Sequence, residues 1–295
     1  LPLAQLCGIY AIIVLGLTLL MGFTGQVSLG HAGFYALGAY AAGVATTVYG
    51  APVWLAIPIS LLAGGVLALA VGFSILRLKG HYLALATLCI GVIVYELITK
   101  SELTGGTAGL YGLPELSFFG LLPGNPLAKV YFIWGIALLV TIWAVHLTES
   151  PAGRALRAIH GDEAAAESLG VDVFGVKLKV FVASGVLAAL GGVLYALVYT
   201  PFYLGPEDFG LMFSVVLVTM VVIGGMGSIW GGIAGALVFT GLREVIGLIG
   251  EHVGSTDTAK YELLVFGLIL VLIMIFSRDG LLPGLGRLAK RLAGA

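Results

Sequence analysis

Four polar residues lie close together at one end of an apolar stretch near the start of the sequence. They are Thr24, Gln26, Ser28 and His31, and glycines and apolar residues separate them. Their hydroxyl, amide and imidazole groups can hydrogen-bond to a polar solute or to the unsatisfied end of a helix. Two interpretations therefore stay open, a broken helix beside a permeation pathway and a capping turn between two helices. On the first interpretation these four are the candidate pathway residues.

A second polar region, the loop 150–176, carries signals for two short helices. Ser150 followed by Pro151 is typical of a helix start and predicts a helix over 152–160. Asp162 is the expected N-cap of a second helix over 163–169, and Gly170 its left-handed C-cap. A solvated connector is one interpretation, but a tight turn would be enough for connection alone. We therefore favour a helix that docks into a groove on a partner protein.

Ionisable residues within apolar stretches are few. Glu96 has Lys100 four residues later, the spacing of a helical ion pair near a membrane surface. Arg243 lies deeper, and we expect it to form a structural ion pair with Glu244 or Glu262. Proton-driven carriers usually depend on acidic relays within the membrane, and this pattern gives little support for one.

Several catalytic motifs are missing from the sequence. It contains no phosphate-binding G-x-x-x-x-G-K-[ST] loop, no H-E-x-x-H and no cysteine–histidine metal spacing. Cys7 and Cys89 lie in apolar runs, and we expect both to be small buried hydrophobic residues. The chain is therefore predicted not to be an enzyme and to hold neither a cofactor nor a metal. Its net charge of -1 argues against binding nucleic acid.

The elements that position these residues are predicted to be membrane helices. Of the 295 residues, 60% are hydrophobic and only 10% are charged, and the mean hydropathy is +1.11. A span needs about 20 apolar residues. By that measure we predict an all-α, polytopic bundle with nine spans and no soluble domain, so that 1–295 is a single transmembrane domain. The spans are 3–21, 27–48, 53–76, 82–99, 130–147, 175–199, 211–226, 231–250 and 260–276.

The distribution of Lys and Arg predicts the orientation of these spans. Ten of the 14 basic residues fall in alternate loops or after the last span, and such residues are held on the cytoplasmic side. This places the C-terminus and the loop 150–176 in the cytoplasm. With nine spans Leu1 is then outside, and we expect a tenth helix upstream of it.

Two segments share the pattern G-x-x-G-x-x-x-x-G-x-A-G, residues 22–33 and residues 224–235. Each copy opens a predicted span that runs from inside to outside. Duplicated halves are common in transporters, but glycine is so frequent here that coincidence explains the match as well as ancestry.

Five segments together resemble a known family. Residues 163–170 resemble the EAA loop of ABC-importer permeases, although the Ile-x-Leu-Pro that ordinarily follows the glycine is absent. Permeases for branched-chain amino acids show the same looser loop. Residues 22–32, 77–84, 104–110 and 224–228 resemble four further signatures of the LivM-type permeases of branched-chain amino acid ABC importers. The resemblance covers nearly the whole chain, in order.

The resemblance implies a fold like that of type II ABC importers, in a bacterial or archaeal cytoplasmic (inner) membrane. The implied partners are membrane lipid, a second homologous permease subunit, two ATP-binding subunits that bind ATP and Mg, and a periplasmic or lipoprotein substrate-binding protein. Branched-chain or related aliphatic amino acids are the implied substrates, and urea or short amides stay open. The alternative from another class is an ion-coupled secondary transporter. The resemblance assigns ATPase coupling to Asp162, Glu163, Ala164, Ala165, Ala166, Glu167, Leu169 and Gly170.

Overall fold

A computed structural model describes residues 1–78, 80–116, 125–200, 202–253 and 268. Within these ranges the chain is mostly helical, as the composition predicts. The helices are α1 (Pro2–Thr24), α2 (His31–Thr47), α3 (Val53–Ile75), α4 (His81–Lys100), α5 (Pro126–Glu149), α6 (Pro151–Gly161), α7 (Glu163–Ser168), α8 (Val173–Leu194), α9 (Leu211–Gly224) and α10 (Ile229–Val253). A π-helical turn, Tyr195–Tyr199, continues α8. Two short strands, β1 (Leu110–Tyr111) and β2 (Tyr203–Leu204), pair antiparallel.

Six of these helices are long and apolar enough to cross a membrane, counted over the described residues. They are α1, α3, α4, α5, α8 with its continuation, and α10. Helices α2 and α9 occupy two further predicted spans but have only 17 and 14 residues. The ninth predicted span, 260–276, lies outside the described residues except for Leu268. The prediction of a polytopic helical protein is confirmed, and the count of nine stays a prediction.

Helix α1 is the centre of the bundle. Nearly every residue from Gln5 to Thr24 is buried, against α5, α8, α9 and α10. Glycines let α2 and α8 approach until their backbones touch. A Cβ on Gly38 would lie 2.2 Å from the carbonyl oxygen of Ala189, and one on Gly192 would lie 2.1 Å from that of Tyr35. Small residues are how membrane helices pack tightly, since lipid gives no hydrophobic drive for association.

The two glycine-rich repeat segments contact each other. A Cβ on Gly22 would lie 1.6 Å from the carbonyl oxygen of Met226, so the end of α1 rests directly on the turn between α9 and α10. Further along, a Cβ on Gly232 would lie 2.7 Å from Oγ1 of Thr18. The shared pattern thus has a packing role at this contact, whatever its origin.

Helices α3, α4 and α5 form much of the periphery. They expose large apolar side chains such as Leu62, Leu85 and Leu139, as expected of surfaces that face lipid or another membrane subunit. The expectation that both cysteines are buried is wrong for one of them. Cys7 is buried on α1, whereas Cys89 is exposed because α4 buries only a narrow face.

Candidate functional site

The first short helix of the loop 150–176, the predicted coupling loop, is α6. Oγ of Ser150 accepts a hydrogen bond from the amide of Gly153 at 3.4 Å, and Pro151 fills the first helical position. Gly153, Leu156 and Ile159 recur at three-residue intervals and are buried. The apolar face of α6 therefore packs onto the bundle, and the predicted helix is confirmed with one extra residue at each end.

The second short helix, α7, has the predicted caps. Oδ1 of Asp162 accepts hydrogen bonds from the amides of Ala164 (2.8 Å) and Ala165 (3.1 Å). Gly170 has φ +85°, the left-handed conformation, and the next amide donates to the carbonyl of Ala166 at 3.1 Å. This is a Schellman-type C-terminus, which glycine adopts without strain. The helix ends at Ser168, one residue earlier than predicted.

Most of α7 is exposed. Ala166 is buried against the bundle, whereas Ala164, Ala165 and Glu167 face outward. Leu169, at the C-terminal end of the helix, is 84% exposed. A large exposed apolar side chain beside small alanines is a surface suited to a partner's groove.

A partly buried ion pair joins α7 to α8. The Lys177 ammonium donates a hydrogen bond to Oε1 of Glu163; Lys177 is only 5% exposed, whereas the Glu163 side chain is 32% exposed. A second contact joins α6 to α1, because a Cβ on Gly25 would lie 3.2 Å from Nδ1 of His160. The coupling loop is thus tied to two central helices of the bundle.

The four candidate pathway residues lie where the chain passes from α1 to α2. Thr24, Gln26, Ser28 and His31 are each no more than 4% exposed. Helix α1 ends at Thr24 with Gly25 (φ +70°) as its C-cap, and α2 begins at His31, four residues after the start of the predicted span 27–48. The junction is both a capped turn and a break in helix enclosed by protein. Irregular backbone is tolerated at membrane depth where protein, rather than lipid, surrounds it.

His31 is hydrogen-bonded on both ring nitrogens. Nδ1 is 2.9 Å from Oγ of Ser28, and Nε2 is 2.6 Å from Oγ of Ser184 on α8. One hydroxyl must donate where the neutral ring accepts, and the ring N–H donates to the other. His31 therefore joins the start of α2 to α8 inside the bundle.

Two further side chains hold the backbone of this junction. Oγ1 of Thr87 on α4 accepts from the amide of Leu29 at 3.1 Å, and Oγ of Ser214 on α9 accepts from the amide of Ala32 at 3.1 Å. By contrast, the buried side-chain amide of Gln26 has no hydrogen-bond partner among the described residues. The sequence did not single out Thr87, Ser184 or Ser214, because each is a lone hydroxyl in an apolar helix.

A cavity of about 420 Å³ opens at the end of the bundle opposite the coupling loop. The π-helical turn Tyr195–Tyr199, the 3₁₀ turn Pro206–Phe209 and the neighbouring ends of the helices surround it. Its lining is Leu6, Tyr10, Tyr35, Tyr195, Tyr199, Glu207, Asp208, Met212, Phe213, Val216, Phe239 and Arg243. None of the four candidate pathway residues is in this set. Of the cavity residues, sequence reasoning identified only Arg243. The four-residue spacing of Tyr195, Tyr199, Tyr203 and Glu207 is a signal that could have pointed to this region.

The carboxylates of the cavity are held by tyrosines. The Tyr195 hydroxyl donates to Oδ2 of Asp208 at 2.8 Å, and the Tyr203 hydroxyl donates to Oε1 of Glu207 at 3.3 Å. Partial burial raises the pKa of Asp208 and the negative charge of Glu207 adds to it, while the Tyr195 hydrogen bond and the Arg243 guanidinium act in the opposite direction.

The predicted pair of Glu96 and Lys100 is confirmed, with Nζ 2.9 Å from Oε2 and both side chains largely exposed. An exposed, paired carboxylate on the periphery is not positioned as a buried proton carrier. No group of His, Cys, Asp and Glu in the described part of the chain is arranged to hold a metal ion.

The family profile described as branched-chain amino acid transport system / permease component matches residues 2–274. The chain belongs to this permease family. The high-affinity branched-chain amino acid transport system permease protein LivM of Escherichia coli (strain K12) is 34% identical over 305 residues. That alignment covers 95% of this chain and 69% of the relative.

Other members and a solved structure are more distant. The permease protein BraD of Pseudomonas aeruginosa is 28% identical, with 92% of this chain and 91% of the relative covered. The L-arabinose permease AraH of Escherichia coli is 29% identical, with 89% and 81% covered. Among solved structures, "PsaBC from Streptococcus pneumoniae in complex with Fab" has a TM-score of 0.48 at 16% identity, covering 91% of this chain and 88% of that one. A likeness at that level does not establish a shared fold.

Membership of the permease family gives the chain its general role. It is a LivM-type permease, a multi-pass membrane subunit of an ABC importer, and not an enzyme. Such permeases work with ATPase and substrate-binding components.

Proposed function

We propose that this chain is one of two homologous permease subunits of an ABC importer that moves branched-chain or related aliphatic amino acids inward. Two ATP-binding subunits power it, and a periplasmic or lipoprotein binding protein delivers the substrate. The permease relatives with the higher identity are named for branched-chain amino acids, which supports this substrate class over the arabinose of AraH.

The observation that carries the proposal is the geometry of the coupling loop. Helix α7 is capped at both ends, its alanine face and Leu169 are exposed, and its first residue is ion-paired to α8. We assign docking on the ATPase to the α7 surface, from Asp162 to Gly170. When ATP closes the ATPases, the moving groove displaces α7, and the Glu163–Lys177 pair passes that displacement to α8.

Helix α8 is suited to carry the displacement across the membrane. Together with its π-helical continuation it has 27 residues, about 40 Å of nearly continuous helix. It starts beside the coupling loop, contacts His31 through Ser184, and ends at the cavity with Tyr195 and Tyr199. In this scheme the pathway residues 24–31 form a junction that moves with α8 rather than an open channel wall.

The proposed topology places the coupling loop and the C-terminus in the cytoplasm and the cavity toward the outside. Residues 1–295 then form one transmembrane domain with nine spans. Cysteine substitution at Ser168 tests this arrangement, because an impermeant thiol reagent added to intact cells should not label it. Labelling at the rate of an external site would reverse the topology.

Co-purification from native membranes tests the subunit composition. A tag on this chain should bring down a second permease and ATPase subunits together after mild solubilisation. High salt should leave the ATPases attached, since the proposed contact is made by the exposed alanines and Leu169 of the α7 surface rather than by charge pairs. A chain that purifies alone and transports leucine on an ion gradient would instead be a secondary transporter. The exposed Glu96–Lys100 pair offers such a mechanism no buried acid.

A further inference from the structure

The charged side chains of the cavity carry both signs. Glu207 and Asp208 lie in the short 3₁₀ turn before α9, whereas Arg243 lies on α10. The negative and the positive charges therefore come from elements far apart in sequence. All three line the same cavity, and each keeps solvent-accessible surface, although Asp208 is partly buried. A ligand inside can therefore approach an anionic and a cationic group at once.

Rigid aromatic packing fixes the acidic side. The Tyr195 hydroxyl holds one oxygen of Asp208, and the Tyr195 ring lies 5.8 Å from that of Phe209. A carboxylate accepts several hydrogen bonds, so the bond from Tyr195 leaves acceptor capacity on Asp208 for a ligand. The carboxylate is thus oriented before any ligand arrives, which lowers the entropic cost of binding.

The remaining wall is apolar. Leu6, Met212, Val216 and Phe239 line the cavity, and Phe213 stacks on Tyr35 with ring centroids 4.8 Å apart. At about 420 Å³ the cavity is within the range of roughly 300–1,000 Å³ typical of small-molecule sites. It offers a hydrophobic side chain a place beside the charged groups.

The backbone around the cavity is also typical of a transport site. Helix α8 becomes a π-helical turn at Tyr195–Tyr199, a 3₁₀ turn follows at Pro206–Phe209, and the short helix α9 of only 14 residues begins at Leu211. π-helical turns are frequent at functional sites, and interrupted helices line the substrate sites of many transporters.

Few classes of ligand match this lining. A neutral sugar or amide has no charge to pair with either sign. The guanidinium repels a metal cation, and an acyl chain has no group that pairs with the carboxylates. A zwitterion with an aliphatic side chain matches all three parts of the wall. Its ammonium pairs with the acidic side, its carboxylate with the guanidinium fork, and its side chain with the apolar wall.

We propose that this cavity is a substrate site that holds a zwitterionic aliphatic amino acid inside the permease, with Glu207 and Asp208 facing the ammonium and Arg243 facing the carboxylate. The inference rests on the proposed function and adds a site and named contacts to it. The occupied site lies at the end of α8, so the helix that receives the ATPase movement also contacts the substrate.

Equilibrium dialysis of radiolabelled L-leucine against the purified complex of permeases and ATPases, without binding protein or ATP, tests the site. Arg243→Gln and Asp208→Asn should each weaken leucine binding by about tenfold or more, since each removes a charge-assisted hydrogen bond. Glu102→Gln and Tyr131→Phe alter exposed residues outside the cavity and should leave the affinity unchanged.

Ligand analogues separate a contact from a structural effect. Leucinol lacks the carboxylate, so wild type should prefer leucine to leucinol and Arg243→Gln should lose that preference. Met212→Trp introduces no charge and narrows the cavity at a half-exposed position. It should weaken leucine binding more than alanine binding.

The outcomes distinguish this inference from the proposed function. If the complex imports leucine with ATP but these variants keep wild-type affinity and the wild-type leucine preference, the cavity is not the site and the importer stands. An absence of leucine binding to a complex that imports leucine likewise overturns the site. A complex that imports no leucine overturns the proposed function itself.

Discussion

Replacing Leu169 by alanine removes an apolar side chain that is 84% exposed in the isolated subunit. The change should therefore leave folding intact and act on the contact with the ATPase. The substitution deletes three carbons, and burying each is worth about 0.8 kcal/mol, so full burial at the interface corresponds to about 2 kcal/mol. At about 1.4 kcal/mol per factor of ten, the dissociation constant of the ATPase should rise by about 30-fold.

The assay is binding of the purified ATPase subunit to permeases held in nanodiscs, with the thermal midpoint of the permeases measured in parallel. Leu103→Ala is the matched control, because Leu103 is also exposed but lies in the loop at the opposite end of the bundle. An unchanged ATPase affinity in Leu169→Ala would refute the assignment of α7 as the docking helix. A lowered thermal midpoint would show instead that Leu169 supports the fold.

Three further substitutions test other parts of the scheme. Gly170→Val places a β-branched residue at φ +85°, which costs about 1 kcal/mol or more and re-aims α7, so ATP-driven uptake should fall while membrane insertion persists. Glu96→Gln breaks an exposed ion pair and should reduce uptake less than Ala165→Pro, which removes a capping hydrogen bond of α7 and disfavours helical backbone at Ala164. Ser184→Ala leaves Nε2 of the buried His31 imidazole without its hydrogen-bond partner and should destabilise the subunit by about 1–3 kcal/mol in thermal or denaturant unfolding.

For each of these substitutions, one outcome would contradict the expected effect. Gly50→Val introduces the same strain at φ +62°, in the loop between α2 and α3, so equal losses of uptake in the two glycine variants would remove the special role of Gly170. A larger loss in Glu96→Gln than in Ala165→Pro would favour ion-coupled transport. An unchanged unfolding curve in Ser184→Ala would show that the hydrogen bond to the imidazole is not stabilising.

The features that sequence reasoning predicted well are local ones. The hydrogen bonds of the caps at Ser150, Asp162 and Gly170 span two to five residues, so the sequence around each contains its partners. The Glu96–Lys100 pair is equally local, one helical turn apart. Span positions were predictable for a similar reason, because apolar length alone determines them.

The features that sequence reasoning missed are those that depend on packing between elements distant in sequence. The cavity combines residues from α1 to α10, and nothing near Asp208 in the sequence points to Arg243 or Tyr10. The partners of His31 are of this kind as well, since Ser184 is 153 positions away. Span 27–48 was predicted too long because apolar composition does not register the non-helical residues between Gly25 and His31.

Reconstitution in liposomes, with the partner subunits added one at a time, tests the proposed importer most directly. Uptake of radiolabelled L-leucine should be absent with this chain alone, with or without a sodium or proton gradient. It should appear only when the second permease, the ATPases, the binding protein and ATP are all present. Leucine uptake by this chain alone, driven by an ion gradient, would contradict the account.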